Sequence, residues 1–355
     1  MVDLFSGAGG LSLGLIQAGF ESLLAVDSDQ HACRTYELNI GRIIKEDLAR
    51  VTTQFICEAA SIGQGQLDLV CGGPPCQGFS VQRRGDREDH RNELVTRFAE
   101  LAVGIRPRAI LMENVPGLLG IRGRAEYETF CRVLTDNGYC IKARTLDAAD
   151  YGAPQHRIRA FVVGWLPEAF ANFDFPAASH REGAWKTVRD SIADLPEPPN
   201  DYTEHPDYPN HVKVHISALN EQRISHIPPG GGRADLPSDL QLPCHRKDNG
   251  HRHLDVYGRL HWDRPAGTIT AMFDNFTRGR FAHPERNRSI TNREGARLQT
   301  FPDRFTFTGP KKDVARQIGN AVPPLMGAIL GGSILAALEG IDAEANPQRG
   351  LALQY

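Results

Sequence analysis

A chain of 355 residues, 41% hydrophobic and 23% charged, holds enough apolar material for one large core and a smaller module, which excludes wholesale disorder. Its net charge of −3 excludes a uniformly basic nucleic-acid binder, so any phosphate-binding surface must come from local clusters of arginine and lysine. No basic leader opens the chain, no apolar run is expected to reach membrane-spanning length, and seven scattered cysteines make no disulfide framework. It reads as a soluble intracellular protein.

Residues 1–5 form an apolar strand pattern, residues 6–10 a glycine-rich turn, and Leu11, Leu13, Leu15 and Ile16 the apolar positions of a helix ending at Gly19. Strand, glycine turn and helix let a ligand approach the backbone at a helix amino end, the arrangement of nucleotide-like binding. The dinucleotide fingerprint asks for glycine where this chain has Ser12, so an adenosine ligand without pyrophosphate fits better. A second strand, residues 23–26, leads to Asp27, whose carboxylate suits both ribose hydroxyls; Asp29 suits the cap of the helix that follows. Ile43 and Ile44 read as a third strand, with Asp47 just beyond, either at an adenine amino group or in a solvated loop.

The apolar run of residues 67–71 is stopped by Gly72-Gly-Pro-Pro-Cys-Gln-Gly-Phe-Ser80. The two prolines fix the backbone and remove two amide donors, so Cys76 is presented on a stiff turn while Gln77-Gly78 swings away. Most free cysteines are small buried hydrophobes; this setting favours a nucleophile. An arginine-rich span follows, then a helix over residues 92–104 and a buried strand, residues 109–112, leading into Glu113, which the strand fixes and the next turn exposes for acid work. Asp3, Phe5, Asp27, Cys76 and Glu113 thus fall at carboxyl ends of strands in a strand-helix alternation, the edge where a mostly parallel sheet binds ligands. The fold class is α/β, Rossmann-like, with helices on both faces.

Six segments carry a resemblance: Asp3-Leu-Phe-Ser-Gly-Ala-Gly-Gly10, Gly73 to Ser80, Glu113-Asn-Val115, Gln155-His-Arg-Ile-Arg159, Arg293 to Pro302 and Ile318-Gly-Asn-Ala-Val-Pro-Pro324. In this order they resemble the DNA cytosine-5 methyltransferases of bacterial restriction-modification type. The resemblance implies S-adenosylmethionine as methyl donor and S-adenosylhomocysteine as product. It assigns the cofactor to Asp3, Phe5, Gly7, Ala8, Gly9, Gly10, Asp27, Ser28, Asp47, Pro74, Leu94, Asn320 and Ala321. Ser28 stands where many relatives carry a bulky residue against the adenine, so stacking falls mainly on Phe5. Cytosine C5 is a poor nucleophile, so Cys76 is implied to attack C6, with Glu113, protonated or sharing a proton, holding N3 and the exocyclic amine. Arg159 is implied at the base carbonyl and Arg157 at the substrate backbone, the two sharing a strand face; each is equally a solvated edge residue when read by itself.

A target base inside a duplex has to be flipped out. The loop from Gln77 to about Arg91 resembles a lid, with Ser80, Gln82, Arg83 and Arg84 facing DNA. From Pro176 prolines, histidines and glycines dominate, and Arg259, Arg278, Arg280, Arg286 and Arg288, with basic stretches at 245–247 and 251–253, offer a phosphate-binding surface. Residues 176–282 are then the target recognition domain, between catalytic segments 1–175 and 283–355. Cys244, His245, His251 and His253 match no usual zinc spacing, so no metal is expected. Thr270 is implied to meet phosphate at a short strand, residues 268–270, and a closing helix, residues 322–339, to dock beside the first strand. The implied protein is a monomeric cytoplasmic, nucleoid-associated bacterial enzyme acting on double-stranded DNA, with a cognate restriction endonuclease as possible partner. A transfer-RNA cytosine methyltransferase of the same architecture and a non-catalytic DNA-binding scaffold are the alternatives; the intact Cys76, Glu113 and Arg159 weigh against the scaffold.

Overall fold

The computed structural model describes residues 1–75, 93–243 and 254–340. Two compact units divide the chain: Met1–Ala148, Ile158–Ser179 and Val322–Tyr355 form the first, Ala149–Arg157 and His180–Ala321 the second.

In the first unit β1 (Val2–Leu4), β2 (Leu24–Asp27), β3 (Ile43–Lys45), β4 (Leu69–Gly72), β5 (Ala109–Asn114), β6 (Cys140–Asp147) and β7 (Ile158–Trp165) make one sheet in the order β3-β2-β1-β4-β5-β7-β6. The first five strands are parallel, and β7 runs antiparallel to both β5 and β6. Strands β1, β4 and β5 are buried along their whole length, as parallel strands covered on both faces must be. The connections carry α1 (Gly10–Ala18), α2 (Gln30–Asn39), α3 (Thr53–Ala60), α4 (Glu93–Ile105) and α5 (Arg124–Asp136). Helix α4 buries Val95, Phe98, Leu101, Ala102 and Ile105, a spacing that lays one apolar stripe on the sheet. Gly19, at φ +115°, ends α1 by donating to the carbonyls of Leu15 and Ile16. Asp29 caps α2 through His31 and Ala32.

The second unit has short elements: α6 (Val188–Ile192), α7 (Ala218–Ser225), β8 (Gly258–Arg259), β9 (Arg280–Ala282), α8 (Asn292–Leu298) and α9 (Lys311–Asn320). Its limits differ from the expected 176 and 283, and the hydrogen bonds give the reason. Helix α8 begins in a Thr291–Glu294 capping box, and Arg288 grips Glu294 at 2.8 Å with both terminal nitrogens while also gripping Glu197 at 2.9 and 3.1 Å. Residues 283–321 therefore fold with the loop-rich segment. Residues 268–270, expected as a strand, are irregular backbone, held by side chains instead: Ile269 N–H donates to Gln155 Oε1, and Thr268 Oγ1 to the His156 carbonyl.

The expected basic surface is corrected by what its arginines touch. Arg259, 3% exposed, donates to the carbonyls of Ile224, Ile227, His283 and Arg286 and to Asn287 Oδ1, all at 2.7–2.8 Å. Arg280 serves the carbonyls of Gly230, Gly231 and Arg259; Arg286 meets Glu197 at 3.6 Å. Chain without ladders leaves carbonyls unpaired, and a five-donor guanidinium satisfies several at once. Of the five arginines, Arg278, at the end of a short turn, and Arg286 are exposed. The stretches at 245–247 and 251–253 and the Cys244-His245-His251-His253 group lie outside the described residues, among which no cluster able to hold a metal occurs.

The last helix, α10 (Pro324–Leu338), belongs to the first unit and packs on α1 rather than beside β1. A Cβ on Gly14 would fall 2.1 Å from the Pro324 carbonyl oxygen, so the two backbones touch where only glycine fits. One stretch, Lys311–Leu338, does meet the length and composition of a membrane span, against expectation. It is two helices, and Leu325, Met326, Leu330 and Ile334 of α10 are buried in protein.

Candidate active site

Register aligns the carboxyl ends of the parallel strands. Leu4 lies beside Val26 and Gly72, and Gly72 beside Met112. The residues next along, Phe5, Asp27, Gly73 and Glu113, therefore stand in one row at that edge.

The turn after β1 is set by backbone conformation. Phe5, Gly7 and Gly9 have φ of +62°, +54° and +93°; left-handed phenylalanine is unusual and marks a position held by its surroundings. At Gly9 a Cβ would sit 2.3 Å from Ile40 Cδ1, so the turn cannot carry a side chain there. Gly9 N–H donates to the Ser6 carbonyl at 3.0 Å, and Gly7 N–H to Asp27 Oδ2 at 2.8 Å. The other Asp27 oxygen accepts Asp29 N–H at 2.8 Å. Burial pushes the Asp27 carboxyl up, and those backbone N–H groups oppose it. Asp27 thus braces the turn. Ala8 is buried, and Gly10 starts α1 with no side-chain cap, which leaves first-turn N–H groups available to an anion.

Asp3 is not at the open edge. It is 1% exposed, accepts the Ser12 hydroxyl at 2.6 Å, and Tyr36 donates to Ser12 at 2.9 Å. Burial pushes its carboxyl up to about 7. It supports the turn from beneath, which corrects its assignment as a direct cofactor contact. Ser28 is exposed, as is Asp47, which accepts Ala49 N–H and lies 3.7 Å from Arg50. Leu94 is half-buried in the first turn of α4.

The reversal of β7 brings its amino end to the same edge. Glu113 is opposite Phe161, so Arg159, two residues earlier on the same face, is its diagonal neighbour. Arg159 Nε lies 3.0 Å from Glu113 Oε1, with side chains 18% and 11% exposed. Gly73 leaves room for the acid, since a Cβ there would be 3.3 Å from Glu113 Oε2. Asn114, to which the sequence reading gave no role, donates from Nδ2 to the Pro74 carbonyl at 3.1 Å and accepts Val115 N–H. It ties β5 to the loop that leads to Cys76. A second polar residue directly after Glu113, at the end of an otherwise apolar strand, was the signal available for it.

Arg157 differs from expectation. Strand β7 begins at Ile158, and Arg157 is 2% exposed in the second unit, donating to the carbonyls of Ile269 and Gly319 at 3.0 Å each. A guanidinium held in this way does not reach a substrate backbone. In the same unit Thr270 is half-buried, Asn320 is the exposed last residue of α9, and Ala321 follows it. Cys76, Ser80, Gln82, Arg83 and Arg84 lie outside the described residues.

One edge of the doubly wound sheet thus carries a glycine turn, the Asp27 carboxylate and the Glu113–Arg159 pair, the edge at which folds of this kind bind ligands. The sequence profile of the C-5 cytosine-specific DNA methylases matches residues 1–336, and the chain belongs to that family. It is 35% identical to the Type II methylase M.HgiDII of Herpetosiphon aurantiacus, over 96% of each chain. It is 34% identical to the Type II methyltransferase M.Eco47II of Escherichia coli, over 96% of this chain and 80% of that one. Among solved structures, a DNA modification methyltransferase encoded within an E. coli prophage superposes with a TM-score of 0.72 at 26% identity, covering 95% of this chain and 99% of that one. Dnmt2 of S. pombe, at 20% identity and a TM-score of 0.62 over 96% of this chain and 98% of that one, shares the fold.

Proposed function

We propose that this DNA cytosine-5 methyltransferase methylates C5 of a flipped-out cytosine within one short double-stranded DNA sequence, through a covalent bond from Cys76 to C6, as the modification half of a restriction system. The observation that carries the reading is the Glu113–Arg159 pair beside Gly73, at the same edge as the glycine turn, in a chain matched by the family along residues 1–336.

The edge fits S-adenosylmethionine: Gly7 to Gly10 form a turn with no room for a Cβ at Gly9 and α1 has a first turn without a side-chain cap, suited to a carboxylate, while Asp27 and the half-buried Phe5 are the proposed partners of the ribose hydroxyls and the adenine. Ser28, Asp47, Pro74, Leu94, Asn320 and Ala321 are further proposed contacts. When bound, this group supplies an electrophilic methyl on a sulfonium. The Cys76 thiolate adds to C6, while Glu113, protonated or sharing a proton, donates to N3 and accepts from the exocyclic amine as negative charge develops in the ring. Arg159, 3.0 Å from Glu113, keeps that carboxyl group oriented and is the proposed contact of the base carbonyl. The addition makes C5 nucleophilic; after methylation, loss of the C5 proton to a base, for which a bound water is suitable, expels Cys76 by elimination. Ser80, Gln82, Arg83, Arg84, Thr270 and Arg278 are proposed on the DNA side, and a cytoplasmic, nucleoid-associated monomer with a cognate endonuclease is the setting such chemistry implies.

Expression in a methylation-free bacterial host, with host DNA sequenced at single-base resolution for 5-methylcytosine, tests this. Methylated cytosines confined to one motif are expected, and Cys76→Ser should abolish them while the protein still binds that duplex. Soluble protein that leaves host DNA unmethylated but methylates transfer RNA would replace the DNA reading with the RNA one.

A further inference from the structure

Two backbone segments of the second unit meet at Arg157. Its two terminal nitrogens reach the carbonyls of Ile269 and Gly319, and these residues immediately precede Thr270 and Asn320. The segments are in contact: a Cβ on Gly319 would fall 2.3 Å from the Thr270 carbonyl carbon and 2.4 Å from Ala271 N. Two buried glutamines close the assembly. Gln155 accepts Ile269 N–H at 3.1 Å and donates to the Leu298 carbonyl and Gln299 Oε1 at 2.8 and 2.7 Å, and Gln299 donates in turn to the Ile318 carbonyl.

We infer that Arg157 is a positioning residue that couples DNA binding at the Thr270 segment to cofactor binding at the Asn320 segment. The inference rests on the contacts proposed above for Thr270 and Asn320. A planar guanidinium giving one N–H to each segment has no slack, so a shift of either carbonyl on ligand binding must move the other or break a buried hydrogen bond. Packing of Gly319 on Thr270 leaves no gap to absorb the motion. Coupling of this kind is reciprocal: whatever factor the cofactor gives to DNA affinity, DNA gives to cofactor affinity.

The test is a linkage cycle on the full chain. Dissociation constants are measured for a duplex carrying the motif mapped by 5-methylcytosine sequencing, with and without S-adenosylhomocysteine, and for S-adenosylhomocysteine with and without that duplex. In the unaltered protein the two ratios should agree at roughly fivefold or more, within the usual range for allosteric coupling. Arg157→Lys keeps the charge and loses the fork; its ratio should fall to within about twofold of one, each ligand still binding alone. Gly319→Ala, which leaves Arg157 intact and wedges the segments apart, should lose the ratio too and covers the case in which the lysine variant does not fold. A variant with both affinities weakened but the ratio preserved would make Arg157 merely structural, and a ratio of one in the unaltered protein would equally overturn the inference. Methylation by the unaltered protein, scored first, reports on the functional reading separately.

Discussion

The two units meet the same demand, partners for buried backbone N–H and C=O groups, by different means. In the first, seven strands pair backbone to backbone, and side chains are free to fill a continuous apolar core. In the second, with two short strands among its described residues, long polar side chains take over: Arg259 serves four carbonyls, Arg293 three, and Arg157 two. One unit is insured by its backbone, the other by individual residues, so single substitutions should act on them unequally.

The largest effect is expected from Arg259→Met. It fills similar volume but strands several buried acceptors, and should cost about 4 kcal/mol of stability, read as a fall in the denaturant midpoint; an unchanged midpoint would refute the stapling role. Next comes pH, where the units should slope in opposite directions. Burial holds the His283 imidazole down to about 4, below its unfolded value, so acidification from about 6.5 towards 4 favours the unfolded chain. Glu294, which burial pushes up but the Arg288 charge and hydrogen bonds hold down to about 2, adds a loss from about 4.5 downwards. Asp3 in the first unit is raised to about 7, so its stabilisation is full below about 4 and fades as pH rises through 7. Between about pH 4 and 7, His283→Gln should therefore remove a rise of stability with pH and Asp3→Asn a fall; slope changes of the same sign in both variants would break the distinction. The smallest effect is expected in β5, where Ile110→Val removes one methylene from a strand whose ladder is untouched and should cost about 1 kcal/mol.

The sequence made the first unit legible because its signals are local. Short apolar runs ending in Asp27, Gly72 or Glu113 name both a strand and the edge where it stops, and the expected order of strands, turn and Asp29 cap is what the chain adopts. Asp3 misled because strand position alone does not say whether a carboxylate faces the open edge or, as here, Ser12. The antiparallel course of β7 was equally hidden and put Arg159 on Glu113, while the strand begins one residue after Arg157. In the second unit an arginine looks the same in sequence whether it meets phosphate or a carbonyl. Arg259 and Arg288 were read as the former and act as the latter. Gln155 and Gln299 lie in segments that carry the resemblance, yet their organising role was hidden, because Gln155 meets Ile269, Leu298 and Gln299, each more than a hundred residues away.

The pairing of β7 with β5 ties the acid-cation site to the core in a single register. Phe161 and Val163, at most 1% exposed, share a face with Arg159, so slipping the pair by one position would carry all three to the opposite side of the sheet. A copy of this chain folded with Arg159 away from Glu113 would also have misplaced an aromatic ring from its core. One register thereby sets both the reactive edge and the placement of these core side chains.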